Sequence, residues 1–206
     1  FAEGYRYYVF EQYVVDAQWR EVRHMLAEKK MRLIGDMPMY VSLDSADVWG
    51  DPSQFKLDEN MAPTEVAGVP PDYFSEDGQL WGNPLYDYGK MRKDGFRWWL
   101  GRFDRMAELY DVLRIDHFRA FSAYWAVDAN AVTAKEGKWR KGVGKELFAE
   151  VFKKHSPDSF IAEDLGIIDD DVNELLAHTG LPCMRVMQFG FEDGDSIHLP
   201  HNFDTY

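Results

Sequence analysis

Asp111-Val112-Leu113-Arg114-Ile115-Asp116-His117 is a short apolar run that ends abruptly in a carboxylate, and Phe160-Ile161-Ala162-Glu163-Asp164 repeats the form. Buried strands of a parallel sheet read as near-continuous apolar runs. Acids at the C-terminal ends of such strands emerge where α/β barrels place their chemistry. The two stretches therefore predict successive strands of one parallel sheet, each delivering a carboxylate at its end.

Helix and strand alternate on either side of this pair. Tyr5 to Lys30 carries apolar residues at helical spacing (Phe10, Tyr13, Val14, Ala17, Val22, Met25, Leu26) and ends in Lys29-Lys30, a charge that suits a helix C-terminus. Met31 to Asp36 reads as a further strand with an acid at its end. Phe96 to Tyr110, Lys145 to Lys154 and Asp169 to His178 predict helices. Residues 183–191 are expected as a fourth strand and Gly137 to Gly144 as a solvated linker, while Tyr124 to Val127 is apolar but ambiguous. The whole is an α/β pattern with a parallel sheet. Between Met37 and Met91, prolines at 38, 52, 63, 70, 71 and 84 exclude any long regular element. A segment this long inside a compact domain is usually functional.

The 206 residues hold 23 Lys and Arg against 36 Asp and Glu, a net charge of −13. Nucleic acid and anionic membrane surfaces need clustered cations and are disfavoured as partners. The single Cys183 cannot form an internal disulfide, no apolar run approaches membrane-spanning length, and no signal-peptide pattern opens the chain. A cytoplasmic protein is expected. There is no metal-spaced His/Cys cluster, Gly-rich phosphate loop or Gly-x-Ser-x-Gly elbow, so neither metal nor cofactor is expected. Many of the 7 Trp, 11 Tyr and 14 Phe lie in polar, Gly/Pro-punctuated segments, where rings more often line a binding cleft than a core.

Two carboxylates at successive strand ends are what glycoside chemistry requires, one as nucleophile and one as proton donor. Arg114 lies two residues before Asp116 and so on the same face of a strand, where a guanidinium keeps a nucleophilic carboxylate ionised. Capping the next helix is the alternative role for Asp116. His117 either donates to a ligand hydroxyl or packs. Glu163 is the candidate acid/base, in a desolvated site that raises its pKa, with Asp164 holding ligand beside it; the alternative is a turn acid before Gly166. Asp36 in Gly35-Asp36-Met37-Pro38 is a third strand-end acid. Tyr73-Phe74 and Trp81-Gly82-Asn83-Pro84 form either a minicore of the long segment or an aromatic lid over a carbohydrate cleft.

At these residues the chain resembles the 4-α-glucanotransferases (amylomaltases, or disproportionating enzymes) of the α-amylase superfamily, from about Tyr5 to Asn202. The resemblance is carried by Ile34-Gly35-Asp36-Met37-Pro38, Ser45-Ala46-Asp47-Val48-Trp49, Gly68-Val69-Pro70-Pro71-Asp72-Tyr73-Phe74 and Gln79-Leu80-Trp81-Gly82-Asn83-Pro84. It continues through Arg114-Ile115-Asp116-His117-Phe118-Arg119, Ala162-Glu163-Asp164-Leu165-Gly166 and Leu199-Pro200-His201-Asn202. The resemblance implies strands three to six of a (β/α)8 TIM barrel, as one incomplete domain over 1–206 with a long insertion, residues 37–92, after the first strand.

It also implies retaining transfer of α-1,4-glucan segments between maltooligosaccharides, with glucose as an acceptor, through a covalent glycosyl ester. Asp116 would be the nucleophile and Glu163 the acid/base. Asp36, Tyr73, Phe74, Trp81, Asn83, Arg114, His117, Asp164 and Asp193 would bind substrate. The family's third carboxylate lies in a Thr-His-Asp-Asn motif that the 206 residues do not contain. The chain is therefore expected to be a central fragment, inactive alone. The residues by themselves leave open another glycosidase or phosphorylase of that superfamily, or a non-catalytic glucan-binding module.

Overall fold

The computed structural model describes residues 2–72, 75–191 and 194–203. Helix α1 (Ala2–Glu28) leads into strand β1 (Ile34–Met37), and the turn between them places Lys30 at φ 55°. Among the described side chains, α1 docks through the face bearing Asp16, Trp19 and Arg23. The Trp19 indole N–H donates to the Leu109 carbonyl at 3.0 Å, while Arg23 pairs with Asp111 and Asp16 with Arg105. Phe10 and Tyr13, expected on the inward stripe, are exposed.

After β1 the elements are short, as the prolines require: α2 (Ala46–Gly50), β2 (Glu65–Val69), β3 (Gln79–Pro84) and α3 (Tyr88–Lys93). Helix α4 (Arg97–Leu109) then feeds β4 (Val112–Ile115). Next come β5 (Ala123–Asp128), β6 (Gly137–Lys141), α5 (Gly144–Val151), β7 (Phe160–Ala162) and α6 (Asp170–Thr179). Asp169 caps α6 by accepting from the Val172 amide, and Gly180, at φ 65°, ends it.

The parallel sheet has the order β1-β4-β7, with α4 and α5 in its crossovers. One face, bearing Met37, Ile115 and Ala162, is wholly buried in a core with Trp99 and Phe103 of α4 and Leu147 and Phe148 of α5. Phe103 meets Phe160 edge-on at 5.6 Å and Phe148 at 6.0 Å.

A second, antiparallel sheet, ordered β3-β2-β5-β6, was not apparent in the sequence. It is shared between the two crossovers: the first contributes β2 and β3, the second β5 and β6. The expected linker at 137–144 is therefore largely strand β6. Its glycines serve close packing, since a Cβ at Gly137 would overlap Trp125 and one at Gly142 the Phe121 carbonyl.

The expected strand at 183–191 is also corrected. Cys183 makes a single parallel bridge to Ala162, and Met187–Phe191 is a 3-10 turn. The donors that would build a ladder are taken by side chains. The Met184 amide donates to Asp164 at 2.9 Å and the Val186 amide to the His198 ring at 3.2 Å.

Candidate active site

Period-two alternation decides which side chains share a face of the parallel sheet. Asp36 lies beside Arg114 and Arg114 beside Ile161, in a row that alternates with the buried row of Met37, Ile115 and Ala162. Two residues further along the same unburied face come Asp116 and Glu163. The ladder continues into them: the Asp116 amide donates to the Met37 carbonyl and the Glu163 amide to the Ile115 carbonyl, each at 3.0 Å.

Arg114 joins the acids on this face. Its Nη1 donates to Asp36 at 2.6 Å, its Nη2 pairs with Asp116 at 2.9 Å, and its Nε meets the Met184 sulfur at 3.0 Å. Burial works against the charge of Arg114, but Asp36, Asp116 and Glu163 outweigh it and hold its pKa above the ordinary value. The two partners are open to ligand: Asp36 is 62% and Asp116 41% exposed.

Glu163 is only 8% exposed. Its Oε2 accepts the His117 amide at 2.8 Å and its Oε1 the Leu165 amide at 2.7 Å. Desolvation nevertheless prevails over these bonds, and with the Asp116 charge it raises the Glu163 pKa above the ordinary glutamate range. A carboxyl with this bias keeps its proton to higher pH, as a general acid must.

His117 makes this possible by adopting the left-handed conformation, φ 48° and ψ 47°, unusual for a residue with a Cβ. The turn brings its amide to Glu163 and its ring against Trp81, edge-on at 4.8 Å. Burial, aided by the Arg119 cation, lowers its pKa to about 4, so the ring is neutral near pH 7. Trp81 is on β3, an exposed strand of the second sheet, and that sheet thereby reaches the rim of the first. Asn83 of the same strand donates to the Val41 carbonyl at 3.0 Å, tying β3 to the segment after β1.

Asp36, Arg114, Asp116, His117, Glu163 and Trp81 are thus gathered at one end of the parallel sheet. Asp164 lies behind them, its oxygens engaged by the Met184 amide and Arg185, and Asn83 is directed to backbone. Tyr73, Phe74 and Asp193 lie outside the described residues. Sequence reasoning missed Met184 and the Leu165 amide. It also missed Tyr40, a buried ring 6.1 Å from Trp81 whose hydroxyl has no partner among the described residues. Tyr40 follows β1 closely, and its place three residues after an acid-ended strand was the available signal. Among the described residues no group of three or more His, Cys, Asp or Glu is placed to hold a metal.

A buried, proton-retaining carboxyl beside a more open one clamped by arginine, on adjacent parallel strands, is an arrangement for acid–base and nucleophilic work at an acetal. The comparisons agree with that class. A family model described as 4-alpha-glucanotransferase matches residues 1–206. The 4-alpha-glucanotransferase of Aquifex aeolicus is 48% identical over 96% of this chain and 41% of its own length. That of Thermus thermophilus is 45% identical over 100% and 41%. The chloroplastic/amyloplastic 4-alpha-glucanotransferase of Solanum tuberosum is 46% identical over 96% and 34%. The structure of an amylomaltase from Streptococcus agalactiae in complex with acarbose superposes with a TM-score of 0.90 at 47% identity, covering 94% of this chain and 39% of that one.

The chain belongs to the 4-alpha-glucanotransferase family. It spans about two-fifths of the length of the bacterial relatives it matches.

Proposed function

We propose that the polypeptide carrying this chain is a retaining 4-α-glucanotransferase, moving α-1,4-glucan segments between maltooligosaccharides with glucose among the acceptors. Asp116 attacks the anomeric carbon while Glu163 protonates the departing glycosidic oxygen, giving a glycosyl ester on Asp116. Glu163, now ionised, takes the proton of an incoming sugar 4-hydroxyl as that oxygen displaces Asp116. The observation that carries the reading is the contrast between the two acids: Glu163 is buried with a raised pKa, and Asp116 is open and paired with Arg114.

Asp36, Arg114, His117 and Trp81 line the substrate side; Tyr73 and Phe74 are assigned to substrate binding from the family resemblance alone. Asn83 and Asp164 support the subsites through the Val41 carbonyl and the Met184 amide; Asp193 is assigned to substrate binding from the family resemblance alone. The sheet β1-β4-β7 is an arc of a (β/α)8 barrel, with residues 37–92 as an insertion after its first strand. The activity is proposed for the complete polypeptide, to which this chain contributes Asp116 and Glu163. No described helix is long and apolar enough to cross a membrane.

The test is a trapping experiment on the complete polypeptide carrying Glu163→Gln, incubated with α-maltosyl fluoride. Fluoride departs without a proton donor, whereas breakdown of the ester lacks its base. Mass spectrometry should find a maltosyl adduct on the peptide that contains Asp116. An adduct elsewhere, or net hydrolysis of maltotriose by the unmodified polypeptide, overturns the reading.

A further inference from the structure

A cavity of about 560 Å3 is lined by none of Asp36, Arg114, Asp116, His117 or Glu163. Its size is that of a small-molecule site. Its walls are the start of β5, strand β6 with the turn into α5, and the first turns of α5 and α6.

Trp139 of β6 lines this cavity and is 42% exposed. The indole is held firmly. The Arg119 guanidinium lies 4.0 Å from its ring centroid, and Trp125 meets it at 5.2 Å and 66°. Arg119 is itself 3% exposed and fixed by the Ile167 carbonyl and Asp169. A ring fixed by its own protein yet open to solvent is a preorganised stacking surface.

The charges around the cavity cancel. Arg140, Lys141 and Lys145 stand against Glu146, Asp171 and Glu174, so no net charge selects an ion. Arg140 pairs with Glu65, Lys145 with Glu174, and Glu146 with Arg92. Lys141 and Asp171 are exposed and have no ion pair among the described residues. They leave one donor and one acceptor beside a flat ring. Sugar hydroxyls both donate and accept, and the C–H face of a pyranose stacks on an aromatic ring.

We propose that this cavity is a second glucan-binding site, with Trp139 as its platform and Lys141 and Asp171 as its hydroxyl contacts. It holds a distant stretch of a long chain while another stretch occupies the carboxylate cleft. The choice of glucan as ligand rests on the transferase reading above.

The complete polypeptide carrying Asp116→Asn is titrated calorimetrically with β-cyclodextrin, and two binding events are expected. Lys141→Ala combined with Asp171→Ala should weaken one of them about tenfold, the loss expected for two exposed hydrogen bonds, and spare the other. Trp81→Ala should do the reverse. In the active polypeptide the double variant should raise KM for amylose by a similar factor and leave kcat/KM for maltotriose unchanged.

An isotherm identical to the parent's overturns the proposal. So does displacement of cyclodextrin by inorganic phosphate, or an equal loss on amylose and maltotriose. A complete polypeptide with Asp116 intact that binds two cyclodextrins but transfers nothing refutes the transferase reading and supports the cavity as a glucan site.

Discussion

Arg114→Lys isolates what the guanidinium fork does. Arg114 reaches Asp36 at 2.6 Å and Asp116 at 2.9 Å with different nitrogens, and Nε rests on Met184 at 3.0 Å. Lysine keeps the positive charge but is a point charge without that fork, so it holds one carboxylate at a time. The variant loses one charge-assisted bond. A desolvated bond of that kind contributes about 1.5–3 kcal/mol. With Asp36 62% and Asp116 41% exposed, solvent screening reduces the loss to about 1–1.5 kcal/mol.

If the bond aligns Asp116 in the transition state, kcat/KM falls about tenfold. Both acids can rehydrate, so the melting temperature of the complete polypeptide should drop by no more than about 2 °C. The assay is glucose release from maltotriose by the complete polypeptide, with thermal melting of the same preparation. Unchanged kcat/KM in a folded Arg114→Lys protein would refute the alignment role. So would an activity loss that disappears when the assay temperature is lowered to restore the folded fraction.

Three further outcomes follow from the same geometry. Desolvation raises the Glu163 pKa, so the alkaline limb of kcat/KM should lie above the ordinary glutamate value of 4.5; Glu163→Gln should abolish that limb and cost about 10²–10⁴ in rate. His117 titrates near 4 when folded against 6.5 in the free side chain. The unfolded chain then binds more protons between those values, so its contribution to stability is complete above about pH 6.5 and lost as pH falls towards 4. His117→Asn, which tolerates the left-handed backbone, should flatten the melting temperature across that window. Gly35→Ala would drive a methyl into the Tyr110 ring and should destabilise by about 1–3 kcal/mol through overpacking, read as a shifted denaturant midpoint.

The acid-ended apolar runs were legible because Met37, Ile115 and Ala162 fill the core face while Val112 and Ile161 keep the other face apolar until the charged groups at the strand ends. Helix α4 was legible from apolar spacing that the core does use, as Trp99 and Phe103 show, and α6 from the acidic first turn that suits its dipole. The second sheet was hidden by its own glycines and prolines. Gly68 lies in β2 because a Cβ there would press on the Gln79 carbonyl of β3, and Pro84 is tolerated as the last residue of β3. Residues 183–191 misled for the opposite reason. They are apolar enough for a strand, but Asp164 and His198 capture the amides that would have paired. At the site, the sequence placed Arg114 with Asp116 by period two. It held no trace of the left-handed turn at His117 that aims an amide at Glu163.

The hydrogen bonds that carry the parallel ladder through Asp116 and Glu163 have a stereochemical consequence. Neighbouring strands run about 4.8 Å apart, and the two acids leave adjacent strands at equivalent heights on one face. Strand spacing sets the two backbones apart by a distance similar to the roughly 5–5.5 Å between carboxyl groups that the proposed retaining mechanism uses. Moving one acid to the next strand but one would open the gap to about 9–10 Å, room for a water molecule and the opposite configuration. In the proposed mechanism, anomeric outcome is thus a matter of which strands are neighbours, and it is as rigid as the sheet.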